Sequence, residues 1–595
     1  MGAPQPPGRR EAGSQPDLRV ARVLPDVAAL AARAFDYLVP ASLAAEVRVG
    51  SIVRVPLHGR RVRGWVVALP EEAETGRRLL PIAKVSSVGP PADVLALAEW
   101  AAWRWAGPVT RFLRTASPPG AVRELPPAAG PGRGPPPRRA AGHAVEVVRA
   151  PPAADPFPVV EEAARGGDAL VLAPSLGEAA MVAARLRRAG VPVAVAPREW
   201  ARAAAGGCTV VGARAAAWAP VPGLAAVVVI DEHDEVYQEE RAPTWNARDV
   251  AVERARRAGA PCWLTSPCPS LAALALAGGG SVRAPSRSDE RAGWPVLEVV
   301  DRRDEAPGLG LYSERLVALL RAATPEERVV CVLNRKGRAV LMACAACGEL
   351  ARCERCDGPL ESGGELGMRC RRCGLAQPPV CRWCGVGRFK ALRIGVARVR
   401  DELELLAGQA VAEVTGDTPP AGPGGGFPAA AVLVGTSAVL HRAARAAVVA
   451  FLDFDQELLA PRFRAGEEAL ALLARAGRVA GGREGRVLVQ TRAPGHEVLD
   501  AARHADPSRF TVVEGARRAA LRMPPEVALA RVSGPGAAGV VAQLDGGQLD
   551  GVETLGPAGD RWLVRAGDHR SLCDALAAVK RPGERVRVEV DPLRA

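Results

Sequence analysis

The sequence predicts a multidomain α/β protein, and three observations support this fold class. The chain has 595 residues, a length at which several domains are expected. Apolar residues make up 48% of the chain, which is enough to fill cores of ordinary size. From residue 143 onward, short apolar runs alternate with Ala/Arg-rich helical stretches, and this alternation is typical of βαβ units around a parallel sheet.

The charge and the absence of targeting segments limit the compartment and the partners. The net charge of +13 comes almost entirely from arginine. It favours a polyanionic partner such as nucleic acid, although a GC-rich genome also enriches arginine. The N-terminus lacks the apolar segment of a signal peptide, and no stretch approaches the roughly 18 apolar residues of a membrane helix. We therefore expect a cytoplasmic protein with no membrane partner.

Residues 19–116 are predicted to form one compact β-rich domain. The stretches VRVGSIVRVPL and RVRGWVVAL alternate like paired strands, and a helix-like stretch, PADVLALAEWAAWRW, follows them. Residues 1–18 are predicted to be disordered. Residues 117–142 contain PPAAGPGRGPPPRR, which indicates a Pro/Gly/Arg linker that cannot pack a core.

Two α/β lobes are predicted between residues 143 and 500. The first lobe spans residues 143–295 and includes the runs DALVLAPS and LAAVVVIDEHD. The second spans 296–343 and 386–500, where ERVVCVLNRKG, AAVLVGTSAVL, AAVVAFLDFD and GRVLVQTR continue the pattern. TPPAGPGGGFP, at 418–428, is predicted as a flexible loop. Residues 501–595 mix strands and helices and are predicted to form an α+β C-terminal domain.

Eight cysteines interrupt the second lobe in an inserted module at residues 344–385. Each of four CxxC pairs places two thiolates on one side of a tight turn, and two such turns complete a tetrahedral zinc site. In a reducing compartment, clustered cysteines indicate metal rather than disulfides. The 13 residues between Cys356 and Cys370 suit a hairpin, whereas the five between Cys347 and Cys353 are few for two turns that face one ion. We therefore predict two Zn²⁺ ions with nested ligands, the first bound by Cys344, Cys347, Cys381 and Cys384 and the second by Cys353, Cys356, Cys370 and Cys373.

An acidic cluster follows the apolar run LAAVVVI and consists of Asp231, Glu232, His233 and Asp234. A buried strand that delivers acids to its carboxyl end has the geometry with which open α/β sheets bind ligands. A DExH-type cluster uses this geometry to hold magnesium and to orient a water against ATP. The alternative is an ordinary acidic turn after a strand.

Over about residues 19–595 the chain resembles the PriA family, the primosomal protein N′ of replication restart. ARAFDYLVPASL resembles the DNA-binding start of that family. The stretch from VVGARAAAW through DEHD to NARD is similar to its GTRSA, DEEHD and ARD segments, LTSPCPS to its SATPS motif, and VCVLNRKGRA to its NRRGY segment. The eight-cysteine module is the most specific shared feature, and its nested pairing in the family agrees with the loop lengths above.

The resemblance implies an N-terminal DNA-binding domain and two RecA-like helicase lobes. Phe35, Asp36 and Tyr37 match the FDY motif of the family. This match implies a pocket for the 3′ end of a leading strand, in which Asp36 hydrogen-bonds the terminal base. Phe35 and Tyr37 would stack on the DNA or fill the core.

Other residues are predicted to contact the DNA outside that pocket. Arg54, Arg60 and Arg61, together with Arg63, are expected to contact phosphates, the alternative being a solvated surface. Trp245 matches an aromatic-rich loop of the family and is predicted to stack a base, the alternative being a half-buried core residue. The neighbouring Arg248 and Asp249 are expected to form a structural ion pair.

The chain departs from the family pattern in its ATPase motifs. A P-loop, G-x-x-x-x-G-K-[ST], needs glycine amides to cradle phosphates and a lysine to reach the terminal ones, and this sequence contains no such motif. The acid motif is one residue shorter than DEEHD, and GARAA and SPCPS stand in place of GTRSA and SATPS. His441-Arg442 lie near the place of a Lys-Gly. The arginines of ARAGRVAGG (474–482) are expected to be out of register for an arginine finger. We therefore predict degenerate lobes, no bound ATP, no catalytic residues and a protein that is not an enzyme.

The leading hypothesis is a replication restart protein that recognises stalled or branched forks, helps to assemble the primosome and loads the replicative helicase without helicase or ATPase activity. Its predicted partners are forked or single-stranded DNA, single-stranded-DNA-binding protein, the replicative helicase and primosome components, in the nucleoid. One alternative is an active ATP-dependent 3′→5′ helicase with a non-standard phosphate loop. The other is a zinc-ribbon nucleic-acid-binding protein of RNA metabolism.

Overall fold

The computed structural model of the chain describes fourteen ranges of the sequence. These ranges are 19–27, 33–71, 79–130, 145–278, 282–303, 311–333, 341–362, 367–370, 373–392, 396–414, 430–443, 445–546, 551–580 and 585–594. The predicted tail at 1–18, residues 131–142 of the predicted linker, the NRKG segment and the predicted loop at 418–428 lie outside the described residues.

The N-terminal domain is an antiparallel five-stranded sheet followed by a helical hairpin. Its strands are β1 (Val20–Pro25), β2 (Phe35–Leu38), β3 (Ile52–Leu57), β4 (Arg60–Ala68) and β5 (Lys84–Ser87), and its helices are α1 (Ala92–Arg104) and α2 (Val109–Ala116). The strand order is β2-β1-β4-β3-β5. Val53, Val55 and Val66 fill the core on one face. On the other face Trp65 lies beneath the hairpin, where its Nε1 donates to Ser117 Oγ at 2.9 Å.

The first lobe is an α/β unit around seven parallel strands, as the alternation of apolar runs predicted. Its strands are β6 (Val145–Arg149), β7 (Asp168–Leu172), β8 (Val193–Val195), β9 (Thr209–Gly212), β10 (Leu224–Val229), β11 (Cys262–Ser266) and β12 (Val282–Arg283). Its helices are α3 (Phe157–Arg165), α4 (Leu176–Arg188), α5 (Trp200–Ala205), α6 (Ala247–Ala258), α7 (Leu271–Leu276) and α8 (Arg287–Gly293). The order β12-β6-β11-β10-β7-β9-β8 places β10, the strand before the acidic cluster, at the centre of the sheet.

The second lobe begins before the cysteine module and resumes after it. It begins with β13 (Val296–Asp301), α9 (Glu314–Ala322) and β14 (Val329–Val332). The inserted module follows, with β15 (Leu341–Cys344), β16 (Leu360–Ser362), β17 (Met368–Cys370), β18 (Ala376–Gln377) and β19 (Phe389–Leu392). Because β15 pairs with β19 in antiparallel register, the module runs from β15 to β19 and is longer than the predicted 344–385. This pairing joins the two ends of the module.

After the module, parallel strands complete the sheet of the second lobe. These strands are β20 (Val411–Val414), β21 (Val432–Gly435), β22 (Val448–Phe451) and β23 (Arg486–Thr491), and the sheet order is β13-β23-β22-β14-β21-β20. The helices are α10 (Val396–Ala407), α11 (Asp455–Leu458), α12 (Ala465–Ala480), α13 (Glu497–Arg503) and α14 (Ser508–Leu521). Helix α14 packs on α13, which packs on α12, so the structure groups residues 508–521 with this lobe.

The last domain is a four-stranded antiparallel sheet with two helices. Its elements are β24 (Ala528–Ser533), α15 (Ala537–Gly546), β25 (Val552–Ala558), β26 (Arg561–Ala566), α16 (His569–Ala578) and β27 (Arg587–Val590). Within the described ranges, no helix is long and apolar enough to cross a membrane.

The N-terminal hairpin joins the first lobe to the last domain. Buried Arg104 of α1 donates to Asp591 at 2.6 Å. On the other side of the hairpin, Phe112 packs on Trp218 of the first lobe at 5.3 Å between ring centroids. One continuous apolar core therefore runs through all three units, which positions the N-terminal sheet relative to the lobes.

Candidate functional site

The acidic cluster lies at the carboxyl end of β10 and faces the second lobe. Asp231, Glu232 and Asp234 are all buried. Arg478 of α12 reaches across and donates to both carboxylate oxygens of Asp231, at 2.5 and 2.9 Å. Burial acts to raise the pKa of Asp231, but the Arg478 guanidinium outweighs burial and lowers the pKa to about 2. The acidic cluster therefore contains a charged Asp231, whose partner Arg478 belongs to the second lobe.

A second arginine of α12 extends the same contact. Arg475 forms an ion pair with Asp234, and its Nη1 lies 3.1 Å from His441 Nδ1. Residues three apart on a helix lie on the same face, so Arg475 and Arg478 point together at the acids. The sequence predicts that the arginines of ARAGRVAGG are out of register for an arginine finger. The structure brings Arg475 and Arg478 to the acidic cluster, a contact that does not test the finger, so this stays a prediction.

The loop between β6 and α3 occupies the place of a P-loop in the first lobe. It contains residues 150–156, APPAADP, with neither glycine nor lysine. The backbone oxygen of Pro152 accepts from Arg478 Nε at 3.1 Å, so the loop contacts α12 directly. The sequence of this loop does not match the P-loop pattern. The predicted absence of bound ATP is not tested by this geometry and stays a prediction.

A further set of polar contacts joins the acidic cluster to the SPCPS segment. Glu232 accepts from the backbone N–H of Ser270 at 2.7 Å and from its hydroxyl at 2.8 Å. Arg248 contacts Glu232 at 3.3 Å and Asp249 at 2.8 Å, which is the ion pair predicted for Arg248 and Asp249. From the second lobe, Glu467 accepts from the backbone N–H of Leu271 at 2.8 Å. We did not single out Glu467, and its role depends on packing between distant segments.

The predicted residues of the 3′-end pocket lie together on β2. The Asp36 carboxylate accepts from Arg22 Nε at 2.9 Å. The Tyr37 ring is buried, and its hydroxyl donates to Pro56 O at 3.2 Å. The guanidinium of Arg33 lies 5.3 Å from the centre of the Phe35 ring. Contact of these residues with DNA stays a prediction.

The remaining predicted DNA contacts differ in their exposure. Arg54, Arg60 and Arg61 are exposed on β3 and β4. Trp245 is only 6% exposed and packs edge-on against Trp218 at 5.5 Å. A base could stack on Trp245 only if its loop opened, so the structure favours the core alternative for this residue in the conformation described.

The eight clustered cysteines form two groups of four in the predicted nested arrangement. In each group the sulfur atoms lie within 4.8 Å of one another. The Cys344–Cys384 and Cys347–Cys381 sulfurs are 3.5 and 3.6 Å apart, and the Cys353–Cys373 and Cys356–Cys370 sulfurs are both 3.5 Å apart. Zn–S bonds of about 2.3 Å at tetrahedral angles place sulfurs roughly 3.8 Å apart, so both groups could hold a zinc ion.

These features together define a helicase-like nucleic-acid-binding protein with a cysteine-rich module. Comparison with known proteins identifies the family. The family model described as the 3′DNA-binding domain (3′BD) matches residues 22–118. The probable replication restart protein PriA of Mycobacterium tuberculosis is 30% identical over 589 residues, 88% of each chain. This chain belongs to the PriA family of replication restart proteins.

Other relatives match over a shorter part of their length. The replication restart protein PriA of Treponema pallidum is 32% identical over 54% of this chain and 51% of its own, and that of Bacillus subtilis is 29% identical over 54% and 43%. The matched part of this chain thus spans about half of these two relatives. Among solved structures, yeast Dbp5 bound to RNA and ADP BeF3 covers 64% of this chain at 11% identity with a TM-score of 0.33, too low to support a conclusion on function.

The prediction that the chain is not an enzyme was wrong. It was based on a missing P-loop and several altered ATPase motifs, whereas the similarity to PriA covers most of the chain. PriA proteins form a helicase family, and helicases are enzymes. The arginines of α12, which we had counted among the losses, lie at the acidic cluster.

We predict that Arg478→Ala lowers the free energy of unfolding by about 2–4 kcal/mol at pH 7. The value lies slightly below that of a fully buried pair, because the Arg478 side chain is 36% exposed. The folded-state pKa of Asp231 is depressed, so the pair stabilises the fold above the ordinary aspartate pKa of about 4 and ceases to do so as the pH falls to about 2. Urea unfolding across this range should show the difference from wild type shrinking with acid.

Arg445→Ala is the matched control for this prediction. Arg445 also belongs to the second lobe, but its ion pair with Glu484 is exposed, so its loss should leave stability nearly unchanged. A stability loss for Arg478→Ala that is the same at pH 7 and pH 2 would contradict a role for the Asp231 charge.

Proposed function

We propose that this chain acts in replication restart by recognising branched DNA that carries a leading-strand 3′ end. The match of residues 22–118 to the 3′DNA-binding domain is the observation that carries the proposal. Asp36 is the proposed contact to the terminal base, and Arg22 holds its carboxylate in place. The exposed Arg54, Arg60 and Arg61 would position the DNA by phosphate contacts.

Further parts of the proposal concern partners and location. Single-stranded-DNA-binding protein, the replicative helicase and other primosome components are the proposed protein partners, and the nucleoid is the proposed location. Primosome assembly and loading of the replicative helicase are the proposed outcome of fork binding. The cysteine module, with its exposed Trp383, supports a role as a rigid contact surface beside the second lobe.

A second candidate function is ATP-dependent DNA unwinding. The contact of Arg475 and Arg478 with the acidic cluster across the lobe interface favours it, since an arginine in that position stabilises phosphoryl transfer. The loop at 150–156 does not favour it, because it lacks P-loop residues. The role of the acidic cluster depends on which candidate holds.

Fork binding is expected to depend on the 3′ end and on Asp36. Forks with a leading-strand 3′ end at the branch should bind more tightly than forks without one, and Asp36→Asn should reduce this preference about tenfold, the effect of losing one hydrogen bond to a base. Fluorescence anisotropy with both forks measures the preference. Glu46→Gln, an exposed change in the same domain, should leave it intact. Equal binding of both forks by the wild type would refute the proposal.

Two zinc ions per chain are expected by metal analysis of the purified protein. Cys353→Ser should reduce the content to one and loosen the module, because structural zinc contributes directly to folding. The control is Cys331→Ser, which alters a cysteine buried in the core of the second lobe and should retain both ions. One ion or none in the wild type would exclude the nested pair of sites.

The unwinding candidate predicts fork-stimulated ATP hydrolysis. An arginine finger contributes about 10³–10⁵ in rate, so Arg478→Lys, which retains the charge but not the bidentate fork, should abolish the stimulated hydrolysis. The assay uses zinc-loaded protein with fork binding recorded in the same samples. Fork binding without any hydrolysis would eliminate the unwinding candidate and would remain compatible with fork recognition in replication restart.

A further inference from the structure

Three cations stand side by side on neighbouring strands of the N-terminal sheet. In the register of β4 and β3, Arg63 lies opposite Arg54, and in that of β3 and β5, Arg54 lies opposite Lys84. Adjacent strands are about 4.8 Å apart, so the row spans roughly 10 Å. Arg61 lies two residues before Arg63 on β4 and therefore on the same face. We call Arg61, Arg63, Arg54 and Lys84 the cation row.

The row is unfavourable for the isolated protein. Like charges directly opposite each other on paired strands destabilise a sheet. Burial, together with the neighbouring Arg54, lowers the pKa of Arg63, and the nearby Asp26 only partly opposes this effect. Asp26 is also engaged by Arg114 at 2.7 Å. Within the described ranges, no hydrogen bond or ion pair engages the exposed side chains of Arg54 and Lys84.

The cation row is separate from the predicted 3′-end pocket. Asp36 pairs with Arg22, which lies opposite Ala68 on β4. Ala68 is five residues beyond Arg63, which corresponds to roughly 17 Å along a strand. Trp65 lies between the two positions and is covered by the helical hairpin. A ligand of the cation row therefore does not share the pocket of Asp36.

We propose that the cation row binds the phosphodiester backbone of a duplex arm of the fork, independently of the 3′ end. This inference rests on the proposed function, since it assumes that the domain of residues 22–118 contacts DNA. Each strand of duplex DNA carries one phosphate charge per roughly 3.4 Å of helix axis, so about two or three phosphates of one strand fall within a row of roughly 10 Å. Phosphate contacts orient a protein on DNA without reading sequence, which suits a protein that recognises branches. Bound DNA would also offset the repulsion within the row.

The test is the salt dependence of binding by the full chain, zinc-loaded, with the double variant Arg54→Gln/Lys84→Gln. For duplex DNA, log K falls with log salt concentration by about 0.9 per phosphate contact. The double variant should therefore lower the slope by about 1.8 on a fork with a 3′ end at the branch. Its preference for that fork over one without the 3′ end should remain. Its thermal midpoint without DNA should be equal to or above that of the wild type, because repulsion is relieved.

The matched control removes two exposed charges elsewhere. Arg165→Gln/Arg400→Gln makes the same change in net charge on α3 and α10 and should leave the slope unchanged. An unchanged slope for Arg54→Gln/Lys84→Gln, or an equal fall in the control, would overturn the proposal. If the wild type shows no preference for the fork with the 3′ end, the proposed function fails. This result is distinguishable from failure of the cation row proposal, which is measured by the salt slope of the double variant.

Discussion

The contact between Asp231 and Arg478 is the constraint on which the arrangement of the two lobes depends. Removing a carboxylate and a guanidinium from water costs several kcal/mol per ion, and Asp231 is buried. Arg478 donates to both of its oxygens and makes the largest contribution to keeping it charged. Because Asp231 follows a central strand of one lobe and Arg478 lies on a helix of the other, this ion pair contributes to their relative orientation together with the Arg475–Asp234 and Glu467–Leu271 contacts. The hairpin of the N-terminal domain packs on the first lobe, so the N-terminal sheet also takes a defined position relative to the second lobe.

Arginine performs this structural role at several places, which changes how the net charge is interpreted. Arg104, Arg248 and Arg518 are all buried and all contact carboxylates. A guanidinium has a planar fork that matches a carboxylate bidentately and is weakly hydrated, so it suits buried pairs better than lysine does. Many of the 78 basic residues therefore contribute to internal contacts. Exposed cations such as Arg54 and Lys84, which have no acidic partner among the described residues, are better indicators of a nucleic-acid surface than net charge.

The spacing of residues along the sequence predicted those features that depend on interactions between nearby residues. The CxxC turns, the nesting of their ligands and the apolar runs of the parallel strands depend on neighbours within a few residues or on the length of one hairpin. The contact of Arg478 with Asp231 joins residues 247 positions apart, and the packing of Trp245 on Trp218 depends on how a loop folds back on the sheet. Neither could be deduced from the residue types. The class of the protein was misjudged for a related reason, since the missing P-loop and the altered ATPase motifs were given more weight than similarity along most of the chain.

The same ion pair links any ligand of the interlobe cleft to the position of the lobes. Arg478 also donates to the carbonyl of Pro152, so it occupies the space between the loop at 150–156 and the acidic cluster. A phosphate group that entered this space would have to replace Asp231 as the partner of Arg478 and would leave the carboxylate buried and charged unless a cation or proton accompanied it. Its affinity would be reduced by the free energy of that exchange, and its binding would remove one of the two ion pairs between α12 and the acidic cluster. Binding of a phosphate in the cleft and closure of the lobes are therefore coupled through the Arg478 guanidinium.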